Sequence, residues 1–252
     1  MPKLIFLGTS NAIPDERHKN THLLITGSQR NVLIDCGENP ILQLRKIGLD
    51  FNLLSDLVLT HFHPDHVAGV PQLLMNMWLM GRNTPLNIFG LQHTLDRVCN
   101  LMDLFGWSEW PDFFPVKFHR LVCQEMIPVL ECDEFRVRAA PVEHFIPTIG
   151  LRFESKISGK VVAYSCDTEP CRQLEVLARG AQVLIHEASG LFPGHSSATQ
   201  AGEIAAKTKV EALYLIHYPT GEYTEKNLVL NAKKNFPGLV YLAEDLGSLE
   251  FD

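Results

Sequence analysis

The sequence predicts an α/β fold (α+β in its mixing of strand directions). Two β-sheets pack face to face with helices on both outer faces, an αββα sandwich built as one domain over residues 1–252. Three observations lead there. Candidate strands outnumber helices and cluster in each half of the chain, with helices flanking each cluster. Turn signals recur evenly, and no Pro/Gly/Ser-rich linker, low-complexity tract or short-period repeat interrupts them. A chain of 252 residues, 46% hydrophobic and 20% charged, has the composition of a globular domain with a large core; disorder, collagen and coiled coil are excluded.

Apolar runs bounded by Gly, Pro, Asn and Asp predict strands at 3–7, 21–25, 32–35, 56–60, 86–89 and 116–121 in the first half. In the second half they fall at 127–130, 135–141, 149–154, 161–165, 183–187, 212–217 and 239–242. Apolar residues at helical spacing predict helices at 40–47, 67–80, 94–105, 170–179, 198–207 and 225–236. The fifth helix opens on Ser197-Ala198-Thr199-Gln200, where the Ser and Gln side chains satisfy the first free backbone donors as a capping box.

Composition narrows the function. The longest apolar stretch, 69–81, has only 13 residues and contains Gln72 and Asn76, too short and interrupted to cross a bilayer. The N-terminal segment lacks the pattern of a secretory signal, and six scattered cysteines without CxxC spacing read as reduced thiols, so a cytoplasmic location is expected. A net charge of −7 gives no long-range attraction for a nucleic-acid backbone, which disfavours RNA without excluding a local basic patch. Eleven histidines are the informative count, because histidine is the commonest metal ligand and acid–base group.

The densest chemistry is His61-Phe62-His63-Pro64-Asp65-His66, between an apolar strand and an apolar helix. Two histidines one residue apart in an extended segment converge on one cation, while Asp65 and His66 face a neighbouring one as the chain turns. An exposed His-rich loop is the plain alternative, and four candidate ligands in six residues at a strand end argue against it.

With these residues in view, the chain resembles the metallo-β-lactamase fold superfamily, whose HxHxDH signature residues 61–66 match in full. Further segments are similar to the ribonuclease Z group. They are His144-Phe145-Ile146-Pro147-Thr148-Ile149-Gly150, Ser165-Cys166-Asp167-Thr168 and Leu215-Ile216-His217. His186-Glu187-Ala188-Ser189 and Gly194-His195-Ser196-Ser197 resemble segments that lactamases and glyoxalase II lack; Leu7–Ala12 and Ile34–Glu38 are also similar.

The resemblance implies a four-layer αββα metallo-β-lactamase sandwich holding two divalent metal ions. One ion would take His61, His63 and His144, the other Asp65, His66 and His217, with Asp167 bridging. Mixed His and carboxylate ligands suit Zn²⁺, with Mn²⁺ and Fe²⁺ as alternatives. His195, oriented by Glu187, is implied as general acid, and Asp65 counts among both ligands and catalytic groups. His186 reads as structural or as a support for the groups that hold the metal. A homodimer is implied by the resemblance alone.

Two divalent ions about 3.5 to 4 Å apart activate water and clamp charge on a phosphoryl group, so the expected activity is a metal-dependent phosphodiesterase. Ribonuclease Z proper grips tRNA with an arm inserted between the positions of His144 and Asp167. Here 22 residues separate them, consumed by two strands and the turn 156–160, a plain hairpin. A small phosphodiester such as a cyclic nucleotide is therefore the expected substrate. Three alternatives stand beside it: a tRNA 3′-processing endonuclease, an ester, lactone or sulfate hydrolase on the same scaffold, and an inactive nucleotide-binding module.

Weaker features remain open. Gly8-Thr9-Ser10 either approaches a phosphate or makes a tight turn. The aromatic stretch 105–114 either stacks on substrate or packs in a core or dimer interface, and Tyr218 and Tyr223 are candidate pocket residues. His18, His22, His93 and His119 read as surface or packing residues.

Overall fold

The computed structural model describes residues 2–221 and 227–250. Its strands form two seven-stranded sheets. In the first, β1 (Lys3–Gly8), β2 (His22–Thr26) and β3 (Asn31–Ile34) are antiparallel. β4 (Asp56–Val58), β5 (Leu86–Leu91) and β6 (Val116–Leu121) then continue in parallel. The second sheet repeats the plan. β7 (Ile127–Glu131), β8 (Phe135–Val142), β9 (Thr148–Ser155) and β10 (Val161–Tyr164) are antiparallel, followed by parallel β11 (Val183–Glu187), β12 (Ala212–Ile216) and β13 (Leu239–Leu242). A short β14 (Ser248–Glu250), not expected from the sequence, closes the first sheet against β1.

Three apolar clusters account for the layers. Phe6, Leu23, Ile34, Phe135, Phe153 and Tyr164 fill the space between the sheets. A second cluster lies under α1 (Ile41–Lys46), α3 (Val70–Leu79) and α4 (Gln92–Leu104), and includes Leu44, Leu73, Met77 and Val98. A third lies under α5 (Arg172–Ala178), α6 (Ala198–Thr208) and α7 (Leu228–Lys233), with Leu174, Ala201 and Ala232. The expected αββα sandwich is the observed one. Among the described residues no helix is long and apolar enough to cross a membrane.

The expected helix at 67–80 is two helices. α2 (Pro64–Val67) ends at Ala68, and α3 begins after Gly69 with Pro71 in its first turn. Proline lacks the N–H that would continue the ladder and tolerates only a helix start. The last expected helix is shorter, and its predicted first residue, Glu225, lies outside the described residues, as does Tyr223. The expected hairpin is confirmed: Glu154 pairs with Val161, Gly159 takes φ +77, and β9 and β10 flank the turn with no inserted arm.

Candidate metal centre

Each element delivers its chemistry at a strand's end. Beyond β4 the backbone N–H and hydroxyl of Thr60 go to Asp35 instead of the ladder, at 2.8 and 2.7 Å, and the chain turns through His61–His66 into α2. Pro64 takes the first helical position there. The loop after β3 lies flat against this turn, with Cys36 N–H donating to His66 O at 2.7 Å. Only glycine permits that approach at position 37, where a Cβ would stand 1.8 Å from Asp65 O. In the second sheet, His144 follows β8, Asp167 follows β10, and His217 follows β12 at φ 52, its N–H leaving the ladder for Thr9 O at 2.8 Å.

These turns bring all seven expected ligand positions together. His61 Nε2 and His144 Nε2 lie 3.0 and 3.1 Å from His63 Nδ1. Beside them, His66 Nε2 is 3.5 Å from both Asp65 Oδ2 and Asp167 Oδ2, and His217 Nε2 is 3.3 and 3.5 Å from the same two oxygens. Asp167 Oδ2 also reaches to 3.8 Å from His61 Nε2, so one carboxylate oxygen faces both groups. Either group can hold a metal ion.

The hydrogen-bond network assigns the tautomers. His66 Nδ1 donates to Asp35 Oδ2 at 2.8 Å. Thr60 spends its hydroxyl proton on the same carboxylate, so it accepts from His61 Nδ1 at 3.1 Å. Ser189 spends its proton on His217 O and accepts from His217 Nδ1, both at 2.8 Å. His144 Nδ1 donates to Gly194 O at 2.6 Å. The Nε2 atoms of all four therefore turn lone pairs toward one another and toward two carboxylates.

Such a set is stable only around positive charge. His66 Nε2 and Asp167 Oδ1 are buried without a hydrogen-bond partner, as groups awaiting a cation would be. The electrostatics of the cluster make the same demand. Against the effect of burial, Asp167, Asp65 and Asp35 hold His66 well above the ordinary histidine range. Burial would raise Asp65, yet His66 and His217 pull it down to about 2. His61, enclosed on every side, is pushed far below the ordinary value by burial and by His66. The residues present fit a pair of divalent cations.

His195 stands over this cluster, its ring stacked 5.9 Å from His217 and edge-on to His144 at 4.9 Å. Its Nδ1 donates to Glu187 Oε1 at 3.0 Å. Glu187 is fully buried and accepts from Thr168 N–H at 2.8 Å and Ser189 N–H at 3.1 Å. Burial would lower His195, but the Glu187 carboxylate and the aspartates raise it above the ordinary value. The capping box at Ser197 is present and fixes the segment that carries His195. His186 is buried and donates to Glu187 O at 2.8 Å, a structural role as expected.

The metal-facing cavity, about 280 Å³, is bordered by Asn11, Ala12, Phe145, Ser189 and Phe192 beside the charged groups. Tyr218, expected there, is buried instead. Its hydroxyl donates to Ala243 O at 2.6 Å and contacts Thr9 Oγ1 at 3.2 Å, because β12 turns it into the layer under α6 and α7. Gly8-Thr9-Ser10 is not a turn but an extended continuation of β1, with Ser10 bridging Asn20 and Tyr218; a Cβ on Gly8 would lie 2.1 Å from Asn20 O, and Thr9 Oγ1 donates to Asp245 at 2.7 Å. The 105–114 aromatics pack away from the cavity, Trp110 stacking on Trp78 at 5.0 Å. His18, His22, His93 and His119 stay outside the cluster. Sequence reading passed over Asp35, Ser189, Phe145 and Phe192. Asp35, Ser189 and Phe145 left a signal only as members of the segments 34–38, 186–189 and 144–150 that resemble the family; Phe192 left none.

Comparisons with known proteins agree with this geometry. A family model described as "Anti-Pycsar protein Apyc1" matches residues 2–240. Ribonuclease Z of Mycobacterium sp. (strain KMS) is 32% identical, covering 99% of this chain and 96% of its own length. The metallo-β-lactamase fold protein YhfI from Bacillus subtilis superposes with a TM-score of 0.81 at 21% identity, over 98% of both chains. Human tRNase Z, short form, gives 0.79 at 24% identity, over 99% of both. The chain therefore belongs to the family of the anti-Pycsar protein Apyc1 and is a metal-dependent hydrolase of the ribonuclease Z-like branch of the metallo-β-lactamase fold superfamily.

Proposed function

We propose that the protein is a binuclear phosphodiesterase acting on small phosphodiesters such as cyclic nucleotides. The observation that carries the reading is the convergence of seven donor groups and the His195–Glu187 pair on a cavity of about 280 Å³. That is the low end of ligand pockets, about 300–1,000 Å³, and suits a mononucleotide better than a folded RNA. The missing arm between His144 and Asp167 points the same way.

In this reading His61, His63 and His144 hold one ion and Asp65, His66 and His217 the other, with Asp167 between them. Zn²⁺ is the proposed metal, and Mn²⁺ and Fe²⁺ suit the same donors. Bound divalent ions supply Lewis acidity toward a phosphoryl oxygen and lower the pKa of water. The chain's own groups do the rest. Asp35, Thr60, Ser189 and Gly194 fix the imidazole tautomers, and Asp65 also orients the attacking water as its second, catalytic duty. His195 holds a proton on Nε2 for the leaving oxygen, and Glu187 keeps the opposite nitrogen protonated and the ring in place.

A homodimer in a cytoplasmic setting completes the proposal. Leu79, Leu104 and Phe105 leave apolar side chains exposed on and beside α3 and α4, and the six cysteines are free.

The test is turnover of the metal-loaded protein on 3′,5′- and 2′,3′-cyclic nucleotides, bis(p-nitrophenyl) phosphate and a pre-tRNA, with His63→Ala as the blank. Cyclic-nucleotide cleavage without pre-tRNA processing is expected. The similarity to a ribonuclease Z along nearly the whole chain favours one second reading, a tRNA 3′-processing endonuclease. Pre-tRNA cleavage with a steep salt dependence of binding would establish that reading instead.

A further inference from the structure

The cavity has an apolar wall that metal chemistry and proton transfer leave unused. Phe145 and Phe192 form it, and their side chains remain 62% and 64% exposed. Both are seated. The Phe145 ring lies 5.1 Å from His144, 6.5 Å from His63 and 6.2 Å from His195, directly beside the groups that face the reacting phosphate. Gly194 runs beneath it, and a Cβ there would come within 3.0 Å of the ring. Phe192 rests on Gly190, whose φ of +123 belongs to glycine and whose added Cβ would stand 3.1 Å from that ring. Phe192 O accepts from His195 N–H at 3.1 Å, so the ring and the proton donor share one backbone turn.

Two glycines thus hold two aromatic side chains at the mouth of a highly charged site, where both stay largely exposed among the described residues. A phosphodiester with simple alkyl substituents would gain little from such walls. A flat heteroaromatic group would gain much, because every nucleobase has a π-face and stacking on aromatic side chains tolerates any base.

We infer that Phe145 and Phe192 form a base-stacking subsite, which seats the nucleobase while the attached phosphodiester faces the metal cluster. The inference rests on the phosphodiesterase reading and names the ligand class it takes: a nucleotide, held by its base at least as firmly as by its sugar. A free mononucleotide and the terminal base of an RNA offer the same chemistry, and the size of the cavity favours the mononucleotide.

The experiment measures KM for a 3′,5′-cyclic nucleotide and for the base-less 3′,5′-cyclic ribose phosphate, in wild type, Phe145→Ala, Phe192→Ala and Phe192→Tyr. Wild type is expected to favour the nucleotide in KM by about tenfold or more, with the preference falling by about that factor in each alanine variant and returning in Phe192→Tyr. Equal KM values in wild type would overturn the subsite. So would alanine variants that shift both substrates alike, or that alter only the oligomeric state. If wild type turns over neither compound, the phosphodiesterase reading fails. The subsite is then read by calorimetry of a nucleoside 5′-monophosphate against ribose 5-phosphate, where equal affinities count against it. A short oligoribonucleotide that binds much tighter than the mononucleotide, and loses this with the same alanines, assigns the subsite to an RNA end.

Discussion

The two sheets share a plan, antiparallel strands followed by parallel ones, yet they build the centre in opposite ways. The first concentrates its contribution: four groups within six residues of one loop, with Asp35 after β3 aligning two of their imidazoles. The second disperses its contribution one side chain at a time: His144, Asp167, Glu187 and His217 at the ends of four strands, and His195 in the loop before α6. A contiguous loop can be preorganised by local packing, as Gly37 against Asp65 shows. Dispersed groups depend on the register of the whole sheet. The second half is therefore expected to be the more easily broken by mutation, and it supplies Asp167, the one carboxylate whose oxygen faces both donor groups.

The sharpest test of that asymmetry is Asp167→Ala. Its oxygen faces donors from both halves, so metal content and turnover are both expected to fall to the His63→Ala level, measured by elemental analysis and phosphodiesterase assay. His195→Ala should keep its metal and lose about 10²- to 10⁴-fold in turnover, most for poor leaving groups. Full activity of that variant on a cyclic nucleotide would remove His195 from the mechanism.

Asp35→Asn should weaken metal affinity by about 10- to 100-fold, and Ser189→Ala by less, since Asp35 aligns two histidines and Ser189 one. Competition with a chelator reads both, and the reverse order would contradict the concentrated design of the first half.

A last prediction concerns acid stability, which is independent of the site. Burial holds His22, in β2, down to about 4 from an ordinary value of 6.5. Below pH 6.5 the unfolded chain takes up a proton that the fold refuses, so stability is full above pH 6.5 and declines toward pH 4. The loss is about 3 kcal/mol, measurable by urea unfolding across that range. An unchanged midpoint between pH 7 and pH 4.5 would exclude it.

The difference between the halves also explains what could be read from the sequence. The layers followed from apolar runs and turns, and the 61–66 loop declared itself by density. His144, Asp167 and His217 are single residues at strand ends, no different in pattern from structural ones, and only the family resemblance singled them out. Asp35 and Ser189 act through hydrogen bonds to other side chains, which leave no spacing to detect. Tyr218 was misplaced because the left-handed turn at His217 redirects the chain, so that the tyrosine hydroxyl is tied to Ala243 O and Thr9 instead of facing the cavity. The helix break at Gly69 and Pro71 was visible in the residues, but the apolar periodicity runs straight through it. β14 has three residues and too little pattern to register.

Asp35, Cys166 and His217 all adopt left-handed backbone, at φ 62, 55 and 52. None is glycine, and such conformations cost of order 1–3 kcal/mol each when a side chain must be kept. Glycine would relax the backbone at each position. At Asp35 and His217 it would also delete a group the centre requires. Glycine at position 35 would also leave the Thr60 N–H, the Thr60 hydroxyl and His66 Nδ1 without their buried acceptor, so the hydrogen bonds that align the imidazoles are the same ones that hold the strained turn: backbone relaxation and loss of the site would be a single event.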